Sequence, residues 1–113
     1  MFDDGVTLAL GRSLDAVALR QRVNANNIAN VMTPGFRASK VEFEQALAGA
    51  VASGDPSAAS PTVLATGATP REDGNNVELE GEQGSLLRSG LQYQAVAQAV
   101  SFKDALLRTA IKG

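Results

Sequence analysis

Catalysis by this chain would have to use carboxylates, hydroxyls, amides or amines, because it contains no His and no Cys. That removes the commonest general base near neutral pH and the commonest metal ligand. It also removes disulfides and thiolate metal sites. Ser53, Ser57 and Ser60 have no imidazole to activate them as nucleophiles. Asp73-Gly74-Asn75-Asn76 opens like a calcium loop, but Val77 falls at the fifth position and the sixth is not Gly. Glu72, Asp73, Glu78, Glu80 and Glu82 read as a solvated acidic stretch. No Gly-rich phosphate cradle is present. The chain therefore reads as non-enzymatic, with no cofactor and no metal.

The amides are more informative. Ala25-Asn26-Asn27-Ile28-Ala29-Asn30-Val31-Met32-Thr33-Pro34-Gly35-Phe36 places three Asn within five positions of a helical stretch. Asn is a poor residue for a helix interior, since its amide competes for backbone partners. A helix that keeps Asn24, Asn26 and Asn27 is expected to use them in buried contacts that set register between helices, including hydrogen bonds to another chain. Asn30 fits either that use or a left-handed helix cap. Thr33-Pro34-Gly35-Phe36 fits a type II turn, with Pro at its second position and Gly at its third. Pro34-Gly35 is thus a structural stop that also sets the angle at which the chain leaves the helix.

The elements that position these groups follow from periodicity. Residues 6–31 read as one long helix, with Asp3 and Asp4 before its positive end. Leu10, Leu14, Val17, Gln21, Asn24, Ile28 and Val31 step by four and three along one side. Ser39 and Glu42 have capping-box spacing before Phe43, Leu47 and Val51, which predicts a short helix within 37–52. From 53 to 70 the composition turns to Ala, Ser, Gly, Thr and Pro, a flexible or extended linker with too little bulk to pack. Residues 71–84 are polar, with a turn at Asp73-Gly74. Val77 and Leu79 suit either a short strand or the start of the next helix. A second long helix fills 85–113, after an N-terminal unit that ends at residue 36.

That last helix carries two apolar stripes. One is Leu86, Tyr93, Val96, Val100, Leu107 and Ile111, and the other is Leu91, Ala95, Ala99, Phe102, Leu106 and Ala110. At about 100° per residue they are centred roughly 130° apart, more than one antiparallel partner helix covers. The chain has 113 residues, four Phe and one Tyr, so its core is thin. The uncovered surface predicts contact with other chains. The expected interface residues are Leu14, Val17, Gln21, Asn24, Asn27 and Ile28 on the first helix. On the second they are Tyr93, Val96, Val100, Phe102, Leu106 and Leu107. The net charge of −2 provides no field to gather nucleic acid or anionic lipid. The acidic Met1-Phe2-Asp3-Asp4 start argues against a secretory signal, and no stretch approaches a membrane span.

The Ala25–Asn30 run followed by Thr33-Pro34-Gly35-Phe36 resembles the N-terminal signature of bacterial flagellar axial proteins of the rod and hook group. Asp73-Gly74-Asn75-Asn76-Val77-Glu78-Leu79-Glu80 and Leu91-Gln92-Tyr93-Gln94-Ala95 resemble the C-terminal half of the proximal-rod B type within that family. The C type, of similar size, is the alternative, and a soluble helical adaptor binding one partner is the alternative outside it. Met32 and Phe36 depart from the usual polar residue and Tyr. The resemblance implies a mainly α fold in which N- and C-terminal helices pair as an antiparallel coiled-coil hairpin and stack helically into a tube. It implies a rod subunit that links the membrane ring and export gate to the distal rod and hook and transmits torque. Its implied partners are itself, other rod proteins, the membrane-ring adaptor and the export gate. The implied location is the flagellar basal body, reached by the flagellar type III pathway without signal cleavage.

Overall fold

A computed structural model describes residues 5–112. The carboxylates expected to precede the first helix, Asp3 and Asp4, lie outside the described residues. Helix α1, Gly5–Ala29, is rich in Ala, Leu and Arg, which lose little rotamer freedom in a helix. It stops at Asn30, and Thr33 to Phe36 form the expected turn: the Phe36 N–H donates to the Thr33 carbonyl at 3.2 Å, and Gly35 takes φ 76°. Asn30 is not a left-handed cap, since no described non-Gly residue has positive φ. Its side-chain amide instead donates to the Asn26 carbonyl at 2.8 Å.

The middle of the chain corrects the sequence reading in two places. Ser39 and Glu42 are not a capping box; they bound a strand, β1, Ser39–Glu42. Val41 points inward and is buried while Lys40 and Glu42 are exposed, the period-two pattern of a strand. Helix α2, Glu44–Ala52, starts only after Phe43 and has no side-chain cap. The expected linker is also structured. It holds a 3-10 turn at Pro56–Ala58 and a second strand, β2, Thr62–Ala65. β1 and β2 pair antiparallel, Ser39 opposite Ala65 through Glu42 opposite Thr62. Little bulk is needed there because the packing is close: Ala16, Phe43, Ala50 and Ala59 form one buried cluster with Leu47 against it.

Residues 71–78 are loop, and helix α3, Leu79–Lys112, takes Glu80 and Glu82 into its first turn, where carboxylates favour the positive helix end. Val77 and Glu78 therefore lead into a helix that Leu79 and Glu80 open, and none of them is in a strand. α3 runs antiparallel to α1. Asn24 bonds to Glu82 and Ser85, Val17 shares a cleft with Val96, and Leu10 shares one with Val100 and Leu107. At about 1.5 Å per residue the helices are about 38 and 51 Å long, in a molecule of 64 × 26 × 13 Å.

Candidate assembly surface

The site has two parts, a polar lock at one end of the hairpin and a bare apolar face along α3. In the lock, Asn27 is 1% exposed. Its amide treats β1 as a neighbouring strand would: Nδ2 donates to the Ser39 carbonyl at 2.7 Å, and Oδ1 accepts from the Ser39 N–H at 3.1 Å. Nδ2 also donates to Glu82 Oε1 at 3.0 Å, and Asn24 Nδ2 donates to the same oxygen at 2.9 Å. The Ser85 hydroxyl donates to Asn24 Oδ1 at 3.2 Å. Both amides find partners inside the subunit, because β1 and the start of α3 fold back onto the last two turns of α1, and they join α1 to α3 as register-setting contacts between helices would.

Asn75 and Asn76 complete the lock. Asn75 is fully buried; its Nδ2 donates to the carbonyls of Asn30 and Thr33, both at 2.8 Å, and its Oδ1 accepts from Val77 N–H. It thus adds a second donor to two carbonyls past the end of α1 that already accept the Thr33 and Phe36 N–H groups. Asn76 Oδ1 accepts from the Ala38 N–H at 2.6 Å, and its Nδ2 donates to the Ala68 carbonyl at 3.0 Å. Arg71 reaches the carbonyls of Val77 and Val31, and the Gly35 N–H donates to the Asp73 carbonyl. Two of the three segments that carried the family resemblance, 25–36 and 73–80, are in physical contact. Each supplies the hydrogen bonds that the other lacks.

Arg20 holds the other half of β1. Its guanidinium donates to the Val41 carbonyl at 2.8 Å and to both Glu44 oxygens at 2.8 and 3.0 Å. The hydrogen bonds from Arg20 hold the Glu44 carboxyl below its ordinary range, to about 2, against the opposing effect of partial burial. The same pair raises the Arg20 guanidinium.

The helix faces divide the expected interface residues. On α1, Val17, Asn24 and Asn27 are buried, and Leu14, Gln21 and Ile28 are half-buried. On α3, the stripe carrying Tyr93, Val96, Val100 and Leu107 is the one turned to α1, with Val96 and Leu107 half-buried. Close approach at the centre uses small residues: Ser89 is buried, and Gln21 Nε2 lies 3.7 Å from where a Cβ on Gly90 would stand. The packing leaves the Ser89 hydroxyl without a partner. The second stripe is bare: Leu91 is 61% exposed, Phe102 66% and Leu106 54%. Leu87, which the sequence reading passed over, extends this stripe by one turn and is 68% exposed. Pro34 and Gly35 are exposed at the tip beside Met32.

Arg20, Asn75, Asn76 and Glu82 were missed as structural residues. A signal existed for three of them. Arg20 lies between Ala16, Asn24 and Asn27 on the buried side of α1, and the Asn pair follows a turn glycine where side-chain bonds to backbone are common. Among the described residues no group of His, Cys, Asp or Glu could hold a metal ion, and no helix is long and apolar enough to cross a membrane.

No protein-family model matches the chain. It is 32% identical over 120 residues to the flagellar basal body rod protein FlgB of Cereibacter sphaeroides, covering 92% of this chain and 94% of that protein. It is 33% identical over 128 residues to the FlgB of Borrelia hermsii, with the same coverage of each. To the FlgB of Bacillus subtilis it is 28% identical over 122 residues, covering 96% of this chain and 95% of the relative.

Proposed function

The chain belongs to the family of flagellar basal body rod proteins named FlgB, and from that membership we propose that it is a non-enzymatic structural subunit of the rod. The observation that carries this reading is the bare face of α3. Leu87, Leu91, Phe102 and Leu106 are each more than half exposed while α1 already occupies the opposite side of the helix. Complete burial of such a side chain contributes about 1.5–3 kcal/mol. Covering the exposed part of these four would contribute about 4–7 kcal/mol, before the cost of immobilising subunits.

Neighbouring rod subunits cover that face, and the elongated hairpin stacks helically with its long axis along the rod. In this arrangement the subunit joins the membrane ring and export gate to the distal rod and hook. It transmits torque through packed helices, and the tube's lumen passes later cargo. The polar lock fixes the hairpin end so that the apolar face is presented at a constant angle. The subunit reaches this site through the flagellar type III pathway without cleavage, and the free end of α3 gains order on assembly.

Deleting the gene tests the proposal directly. Basal bodies isolated from the deletion strain should stop at the membrane ring, and the wild-type gene should restore the rod. Full-length rods in the deletion strain would refute the reading.

A further inference from the structure

The two edges of the small sheet are treated in opposite ways. Thr66 N–H donates to the Ala38 carbonyl, so residues 38, 40 and 42 turn their backbone groups toward β2, and 62, 64 and 66 turn theirs toward β1. Ser39 and Val41 then face the other way, and that edge is closed: Asn27 occupies the Ser39 N–H and carbonyl, and Arg20 takes the Val41 carbonyl. On β2 the outward groups are the N–H and C=O of Val63 and Ala65. No hydrogen bond reaches them among the described residues.

The open edge is short, four residues with Pro61 before it, but Thr62-Val63-Leu64-Ala65 itself has no charge, no Pro and no bulge, three of the devices used against strand pairing. Val63 and Leu64, which point to opposite faces of the strand, are 50% and 39% exposed. β1 shows the ordinary pattern by contrast, one buried Val flanked by an exposed Lys and Glu. An edge that presents apolar side chains on both faces and two free donor–acceptor pairs matches a third strand on chemical grounds.

We propose that β2 is a docking edge for an extended, uncharged segment of a different rod protein, which adds to the sheet as its third strand. This rests on the rod-subunit reading and specifies one of its contacts. The occupant is not a second copy of β2. That pairing would place Leu64 against its own counterpart across a two-fold axis, a closed contact that ends growth, whereas a helical rod needs heterologous contacts. It is not β1 of a second copy either, because α1 closes that edge.

Backbone chemistry supplies the test. Ala65→Pro removes an outward N–H and keeps an apolar side chain, a change edge strands tolerate when the lost donor faces solvent. Leu64→Pro removes an inward N–H and should break the β1–β2 pair. The isolated Ala65→Pro subunit should keep the wild-type urea midpoint yet fail to restore rods in the deletion strain. Residue-resolved hydrogen exchange on the unmodified chain is the second arm. In purified basal bodies the Val63 and Ala65 amides should exchange at least ~100-fold more slowly than in the free subunit, while Leu64 is protected in both. Rods containing the chain whose Val63 and Ala65 amides still exchange at the free-subunit rate would overturn the docking edge and leave the rod reading intact. So would restoration of rods by Ala65→Pro. Protection that appears in a two-fold dimer of the chain alone would overturn the choice of occupant. Absence of the chain from basal bodies would overturn the rod reading itself.

Discussion

Replacing Asn27 with Leu tests whether the polar lock holds the subunit together. Leu has the same branched skeleton of four heavy atoms as Asn, is bulkier, and suits a helix better. The substitution removes three hydrogen bonds: two with the backbone of Ser39 and one to Glu82. Glu82 keeps its bond from Asn24, so the loss concentrates on the Ser39 N–H and carbonyl. Each buried backbone group left without a partner costs about 1–3 kcal/mol. Two such groups, less the apolar gain from Leu, give about 3 kcal/mol, against the 5–15 kcal/mol of an ordinary domain. Urea unfolding of the isolated subunit, followed by helical circular dichroism, should show it. With a slope of about 1–2 kcal/mol/M for a chain this small, the midpoint should fall by roughly 1.5–3 M. Asn26→Leu is the matched control: Asn26 is exposed one position away, and its substitution should cost under about 0.5 kcal/mol. If Asn27→Leu unfolds within about 0.5 kcal/mol of wild type, the lock is not what joins β1 and α3 to α1.

Leu91→Asp with Phe102→Asp should leave the isolated subunit within about 1 kcal/mol of wild type, since both side chains are mostly exposed, yet abolish rods in electron micrographs of basal bodies. Gly35→Val places a β-branched side chain at φ 76°, where nothing crowds a Cβ. The cost is therefore backbone strain alone, about 1–3 kcal/mol, read from the same unfolding curves. Glu44→Gln removes a carboxyl whose folded pKa of about 2 lies below its ordinary 4.5. The ion pair therefore stabilises fully above about pH 4.5, and that contribution disappears as pH falls toward 2. Glu44 is 68% exposed, so the difference from wild type at pH 7 should be at most about 1 kcal/mol and vanish by pH 2.

The long helices and the Pro-Gly turn could be read from the chain because each is set by local rules: periodicity over many residues, a residue that ends a helix, and a residue that permits positive φ. The two apolar stripes on α3 were legible for the same reason. Which stripe met α1 was not, since both have similar bulk and the choice depends on where Ser89 and Gly90 allow the helices to approach. The β1–β2 pair was illegible for a different reason. Four-residue strands carry too few alternations to compete with a capping-box match at Ser39 and Glu42. The strand exists because Asn27 and Arg20, 12 and 21 residues away, supply its second set of partners. The Asn cluster was recognised as exceptional, but its partners within the subunit were not. Composition shows that amides need partners; only the return of residues 38–39 and 75–85 onto α1 shows that those partners are internal.

The division between the two ends of the hairpin follows from what each must withstand. At the turn end, directional bonds from Asn24, Asn27, Asn75, Asn76 and Arg71 fix the relative positions of α1, β1 and the start of α3. Such bonds lose energy steeply with misalignment, so this end resists a change of angle between the helices. Along the shaft the contacts are Ala, Val and Leu packing, which is non-directional and tolerates small sliding. A subunit proposed to carry torque in a rod needs a fixed angle where the chain reverses and adaptable surface where it meets neighbours. The molecule places polar chemistry at the first and apolar surface at the second. Moving one buried Asn to the shaft, as in Val17→Asn, should therefore be worse than losing one from the lock. It would bury an amide where no backbone group is free to receive it, and its cost in the unfolding assay should equal or exceed that of Asn27→Leu.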